Sequence, residues 1–515
     1  MHTQPDGRFF SQKIARAIPS GRCGAPFAGR RYFDYLCMQR NPSQHPPPRA
    51  CGKPVESMTT IKGAATELGT QRIRKLLVQY AVPAIIAMTA SSLYNMVDSI
   101  FIGLGVGPMA ISGLALTFPL MNLAAAFGSL VGVGAATLIS MRLGQRDYAS
   151  AQYILGNVVV LNLIIGIGFG ATTLLFLDPI LYFFGASDAT IGYARDYMSI
   201  ILLGNVVTHM YLGLNSVLRA AGHPRTSMYA TINTVVINTL LDPLFIYGFG
   251  WGIRGAAIAT VLAQIISLGW QFRLLSDRSE LLHFHRGIYR LRRRIVREIV
   301  AIGMSPFLMN VTACFIVILI NKGLKEHGGD LMIGAYGIVN RLAFFFVMIV
   351  MGLNQGMQPI AGYNYGARQY DRVLRVLKLT AVGATCVTTL GFLLGELLPH
   401  RAVAVFTTDG ELIRLAAEGM RIVFCCFPII GFQMVATNFF QSIGMAPKAI
   451  FLSLSRQLLF LLPGLLFLPG LFVRLGYDGS WGVWCSMPLS DALASLIAAF
   501  MLLRELRRFR QQMQP

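Results

Sequence analysis

Residues 76–102 read LLVQYAVPAIIAMTASSLYNMVDSIFI, and in all that length only Asp98 carries a charge. At 1.5 Å per residue such a run forms a helix roughly 40 Å long, enough to cross a hydrocarbon core of about 30 Å. The segment therefore reads as a membrane span with one acid inside it. Eleven further apolar blocks follow, near 111–141, 153–184, 196–220, 226–249, 252–275, 298–321, 332–360, 376–398, 420–443, 449–473 and 480–503. Backbone polar groups in lipid must be satisfied within the segment, so the blocks are helices. They lack period-two alternation and are too long for barrel strands.

The composition agrees. The chain has 515 residues with 44 Lys and Arg, 23 Asp and Glu, 13% charged side chains and 54% hydrophobic ones. Soluble domains carry about 25% charged residues, which argues against a soluble enzyme. The net charge of +21 does not point to nucleic acid, because the basic residues lie in short stretches between apolar blocks rather than in one patch. Eight cysteines are scattered without CxxC pairs or histidine partners, so they suggest neither a metal site nor a disulfide framework.

Most of the loop Lys and Arg follow blocks 2, 4, 6, 8 and 10, including Arg290, Arg292, Arg293, Arg294 and Arg297. The positive-inside bias makes those loops cytoplasmic. Both termini join them, with Arg72, Arg74 and Lys75 before block 1 and Arg504, Arg507, Arg508 and Arg510 after block 12.

Residues 1–57 differ from the rest: they are basic, contain Pro46, Pro47 and Pro48 in a row, and have no apolar run. They cannot build a core. They read as a disordered N-terminal extension or a misassigned start, with Met58 as the true beginning, and a chain starting at Met58 is expected to insert and transport like the full one.

An internal repeat appears at an offset of about 222. Gly144-Gln-Arg-Asp-Tyr148 after block 2 aligns with Gly366-Ala-Arg-Gln-Tyr370 after block 8, and Gly222 after block 4 aligns with Gly444 after block 10. Six helices per half is an even number, so the halves share one orientation and are related by an axis normal to the membrane. The expected fold is all-α integral membrane: twelve transmembrane helices in two six-helix bundles related by a pseudo-two-fold axis. The N-lobe is 58–285 (helices 1–6), and the C-lobe is 286–515 (helices 7–12 and a basic tail).

Acids inside a bilayer cost about 2.5–3.5 kcal/mol each on insertion scales, so each needs a reason. Asp98 shares a helix face with Tyr94 and Ser91. Asp242 has Asn238 one turn before it and Pro243 after it; the proline removes a donor to the Thr239 carbonyl and kinks the helix. Blocks 1 and 5 run outward and block 6 runs inward, so Asp98, Asp242 and Thr260 should sit at similar depth in the outer half, which permits one cluster; the alternative is that the two acids merely cap or bridge helices. Two such carboxylates cannot both stay ionised, which favours proton binding. Oxygen ligands of this kind also suit Na⁺, so Asp98 and Asp242 are a candidate Na⁺ site. Asp491, behind Trp484 and Pro488, stands alone. Arg341, Arg421 and Arg456 read as snorkelling or structural pairs, and Asn205, Asn215, Gln355, Gln358, Asn438 and Gln441 line a cleft or join helices. There is no Walker A sequence, HExxH, or GxSxG with a triad context, so coupling to an ion gradient is expected in place of ATP and no cofactor is expected.

From about Glu67 to Leu506 the chain resembles the multidrug and toxic compound extrusion (MATE) transporters of the MepA/DinF-like branch. The resemblance is carried by Val82-Pro83 leading to Leu93-Tyr-Asn-Met-Val-Asp-Ser-Ile-Phe-Ile-Gly103, by Gly144-Gln-Arg-Asp-Tyr148, Leu218-Arg-Ala-Ala-Gly222 and Asn238-Thr-Leu-Leu-Asp-Pro243, and by Gln358-Pro-Ile-Ala-Gly-Tyr-Asn-Tyr-Gly-Ala367. It implies a V-shaped pair of bundles that exports small organic cations or amphiphilic compounds in exchange for H⁺ or Na⁺. The setting it implies is a bacterial inner (plasma) membrane, and a monomer is expected. It further implies a cation-coupling site at Asp98, Asn238, Asp242 and Thr260, and substrate-cavity positions at Tyr94 and Asn215, to which Asn205, Gln355 and Asp491 are added as candidates. A C-lobe acidic pair starting on helix 7 has no match, since that helix offers only Asn310 and Asn321.

Two other functions are weaker. A flippase for lipid-linked precursors would bring a strongly cationic cleft, against the acids here. A membrane enzyme such as a polysaccharide polymerase would need a long extracytoplasmic loop with catalytic side chains, and each such loop here spans about 20 residues or fewer.

Overall fold

The computed structural model describes residues 64–513. The expectations for residues 1–57, and the start at Met58, lie outside the described residues. Among the described residues every regular element is a helix. Twelve spans are numbered α1 (Ile73–Gly105), α2 (Pro108–Gly144), α3 (Tyr148–Leu175), α4 (Ile191–Leu203 with Asn205–Ala220), α5 (Pro224–Pro243), α6 (Gly252–Leu275), α7 (Arg293–Gly329), α8 (Leu331–Gly366), α9 (Tyr370–Leu397), α10 (Gly410–Phe424 with Phe427–Ser442), α11 (from Ala446 to Arg474) and α12 (Gly479–Met513). α7 breaks into α8 at its last residue, Gly329, whose φ of 72° and ψ of −172° are not helical.

The apolar blocks located the spans but not their breaks. Block 3 ends at Leu175, and its last residues form a separate short helix, Leu177–Phe183. Blocks 4 and 10 are each two helices, bent by 55° at Gly204 and by 51° at Cys425–Cys426. Hydropathy cannot register these bends, because both arms are apolar. The backbone disturbance expected before Pro243 appears after it: α5 continues into a π turn, Leu244–Gly248.

The repeat is written into the backbone. Arg146 and Arg368, with φ of 60° and 58°, are the non-glycine residues of the described chain in the left-handed region. Each closes a helix with the same pair of hydrogen bonds. Asp147 N donates to Arg142 O and Arg146 N to Leu143 O, while Gln369 N donates to Asn364 O and Arg368 N to Tyr365 O. The short helix Leu177–Phe183 has its counterpart in Pro399–Ala404, the break at Gly204 in the break at Cys426, and the π turn of α5 in the π stretch Ser455–Leu461 of α11. Coincidence at so many irregular points fits two copies of one six-helix unit.

The two halves meet at the end that carries the basic loops. A core from Ile102 to Ala257 lies wholly in the first half and one from Ile316 to Trp484 wholly in the second. The other two cores are shared: Ile295, Ile299 and Ile302 join residues of α2–α4, and Leu68 through Ala81 join α8–α10. Four glycines let the backbones touch along this seam. A Cβ on Gly303 would lie 1.8 Å from the Leu130 carbonyl oxygen, and one on Gly134 would lie 2.1 Å from that of Ile299. At the crossing of α2 and α8 the relation is reciprocal, with Gly144 against the Tyr363 oxygen at 2.0 Å and Gly366 against the Met141 oxygen at 2.1 Å. Arg142 pairs with Glu298 at 3.0 Å, and Gln358 donates to Thr137 at 2.8 Å, so polar contacts also cross the seam.

Candidate functional site

Towards the far end of the first half, α1, α5 and α6 bring together the acids and their neighbours. On α5, Asn238 and Asp242 sit one turn apart on one face, and the Asn238 amide donates to Asp242 Oδ1 at 3.2 Å and to Thr260 Oγ1 of α6 at 3.3 Å. From α1, the Tyr94 hydroxyl lies 3.0 Å from Thr260 Oγ1. Asp98 is one turn further along α1, 5% exposed, and Asp242 is fully buried. Through Tyr94, Thr260 and Asn238 the two acids belong to one buried polar cluster. Asp98 Oδ1, Asp242 Oδ2 and Asn238 Oδ1 have no hydrogen-bond partner, and no ion pair among the described residues reaches either acid.

Three unpartnered oxygens in a dry site are costly, since each buried acceptor left alone forfeits about 1–3 kcal/mol. A proton or a small hard cation would relieve them. Carboxylate, amide and hydroxyl oxygens are the donor set for Na⁺, and a proton on either acid turns an acceptor into a donor. The residues present thus fit either ion.

Tyr197 escaped the sequence reading. The residue is 1% exposed and lies in the neighbourhood of Thr260 and the two acids. It lies near the start of α4, which runs opposite to α1, at the depth where α1 ends, so the depth argument that finds Thr260 applies to it too. A tyrosine at the edge of an apolar block reads first as an interfacial aromatic.

Other candidates fall elsewhere. Asn215 does not join the acids; it bonds Thr231 at 3.0 Å and accepts from Ser227 at 2.5 Å, nearer the basic end. Asn205 donates to the Gly166 carbonyl at 3.3 Å beside the α4 break, where it ties α3 to α4. Gln355 reaches the Met88 sulfur at 3.4 Å across the seam. Asn310 is spent on the Pro306 carbonyl at 2.8 Å.

Asp491 does not stand alone. Arg456, in the π stretch of α11, donates to its carboxylate at 2.5 Å. Removing one partner of a buried pair costs about 3–5 kcal/mol; since Arg456 keeps about a third of its side chain exposed, the lower end applies. Asp491→Asn is therefore expected to lower the thermal unfolding temperature and the detergent-extracted yield. The double variant Arg456→Gln/Asp491→Asn should recover much of both, and a double variant no better than the single one would show the pair to be unimportant for stability.

The MatE family model matches residues 83–244 and 302–466, one segment in each half. The chain belongs to the MATE family. It is accordingly a multi-pass membrane transporter and not an enzyme. Among curated relatives, the multidrug export protein MepA of Staphylococcus haemolyticus (strain JCSC1435) is 28% identical over 432 residues, which cover 83% of this chain and 93% of that one. MepA of Staphylococcus aureus (strain MSSA476) is 27% identical over 424 residues, covering 82% and 92%. A solved structure described as a complex of the MATE multidrug transporter DinF-BH is 37% identical, with a TM-score of 0.77 and coverage of 85% and 96%. An outward-facing MATE transporter of the MOP superfamily, 22% identical, has the same fold at a TM-score of 0.81, covering 87% of this chain and 99% of its own. This MATE chain is thus MepA-like along nearly the whole described length.

Proposed function

We propose that this transporter exports cationic or amphiphilic organic compounds from the cytoplasm across a bacterial plasma membrane in exchange for H⁺ or Na⁺. In this reading the basic end and both termini face the cytoplasm, and the chain works as a monomer. The observation that carries it is the pair Asp98 and Asp242, buried without a cationic partner and with unpartnered oxygens on each. An organic cation and a coupling ion would compete for that negative charge, which obliges exchange. The names of the MepA relatives and of the DinF-BH complex support a role in drug export.

The site for an apolar body is also at hand. Just beyond the seam from the basic end, the rings of Phe127 on α2 and Phe307 on α7 lie 4.8 Å apart and bridge the halves, with Phe169 5.0 Å from Phe127. Aromatic faces attract a desolvated cation by about 2 kcal/mol or more.

Gradient-driven export in proteoliposomes, with pH and Na⁺ gradients imposed separately, tests the coupling: export should follow one of them and stop when it is dissipated. Export that follows neither would remove the proposal. For cargo, ethidium-like cations are expected to be exported and organic anions of similar size left behind; cells that overproduce the protein yet resist only anionic compounds would contradict this.

A further inference from the structure

The acidic cluster is one end of a polar ladder that runs the length of α5. Ser227, Thr231, Thr234, Asn238 and Asp242 recur at spacings of three and four and so share one helix face. From Ser227 to Asp242 the rise is about 22 Å, most of a hydrocarbon core. Neighbouring helices add rungs. Thr234 donates to Ser267 of α6 at 2.7 Å, and Asn215 of α4 bonds Thr231 and Ser227. At the basic end the ladder stops at Arg219, whose guanidinium donates to Ser227 and Ser216 at 3.2 Å each.

Among the partly buried cations Arg142, Lys448 and Arg456 have carboxylate partners, but the described ion pairs give none to Arg219 or to Arg372. Arg372 is held by the backbone carbonyls of Leu68 and Gln71 at the seam, whereas Arg219 ends the ladder. It lines a small cleft with Gln355, Gln358 and Pro359 of α8, against the seam. In the second half the position about 222 residues on is Gln441, also buried, so a neutral side chain fits the same fold.

We propose that Arg219 is an electrostatic stopper: it ends the polar ladder with a fixed positive charge and keeps the coupling cation, once bound at Asp98 and Asp242, from slipping through the first half to the cytoplasm without cargo. Hydroxyls and amides in file can pass a proton or ligate Na⁺ by turns, and a fixed guanidinium at the end of such a file repels either. This rests on the ion-antiport reading. It explains why the charge is left without a carboxylate, which would cancel it.

The test is cargo-free ion flux in proteoliposomes, read with a pH dye and with radioactive Na⁺. Arg219→Gln is expected to raise that flux at least about tenfold, because it removes a fixed unit charge that touches the last rung and opposes any passing cation, and to lower the cargo exported per ion. Arg219→Lys keeps the charge and should stay tight, and Ser227→Ala, which breaks a hydrogen bond but not the charge, should lower thermal stability without leak. Wild-type tightness in a folded Arg219→Gln protein, or equal leak in the Lys and Gln variants, would overturn the stopper. Failure of the antiport reading looks different: the wild type would then export cargo in neither gradient, whatever Arg219→Gln leaks.

Discussion

Asp98→Asn and Asp242→Asn are each expected to reach the membrane at wild-type levels and to lose nearly all gradient-driven export. Asparagine keeps the size of the side chain and part of its hydrogen bonding while removing the titration and the charge. The folded protein should tolerate it, because each acid already has an unpartnered oxygen and neither has an ion-pair partner to strand. Transport should not tolerate it. A cation moving inward gains about 2.3 kcal/mol per 100 mV, but only an ion whose binding alters the site can convert that gain into a change of shape. With one acid neutral for good, the repulsion between Asp98 and Asp242 is gone in both the loaded and the empty state, and nothing distinguishes them. Uphill efflux near wild-type rate in both single variants would sink this role for the pair.

The second large effect lies at the seam. Gly303→Val places a branched side chain where even a Cβ would be 1.8 Å from the Leu130 carbonyl oxygen. The obstacle is backbone, which cannot rotate away, so α2 and α7 must part. Overpacking of this kind costs about 1–3 kcal/mol, and since 1.4 kcal/mol is a factor of ten, the basic-end closure should weaken by roughly ten- to a hundredfold. Ser140, fully buried and against Gly362 across the seam, provides the readout. In a background with the native cysteines replaced by alanine, Ser140→Cys should react slowly with an impermeant maleimide applied to the basic side. Adding Gly303→Val should speed labelling at least about tenfold and depress export, because the state closed at that end is no longer favoured. Unchanged labelling together with full export would contradict the seam's part in the cycle.

The cluster of Asp98, Asn238, Asp242 and Thr260 was legible because acids in lipid announce themselves and because helix direction fixes depth. Two residues of one helix at a spacing of four, and a third at the same depth on the next helix, have few ways to avoid one another. The rest depended on what crosses a helix, which periodicity does not record. Asn215 carried the same polar signal as Asn238, yet it lies several turns away in depth and serves Thr231 and Ser227. Arg456 and Asp491 were each visible, but their pairing is set by the packing of α11 against α12. The seam glycines were invisible in a chain with 52 of them, since a glycine matters only where another backbone arrives. The bends at Gly204 and Cys425–Cys426 were hidden because apolar arms on both sides of a break give one unbroken hydropathy block.

The most direct measurement of obligatory exchange at Asp98 and Asp242 runs the cycle backwards. Proteoliposomes holding the purified protein are given a gradient of a cationic cargo and no ion gradient, and the movement of H⁺ and Na⁺ is followed. The predicted result is that one of these ions moves opposite to the cargo, in proportion to it, and that Asp98→Asn and Asp242→Asn abolish this movement. Cargo crossing at a normal rate with no opposing flux of either ion would contradict it.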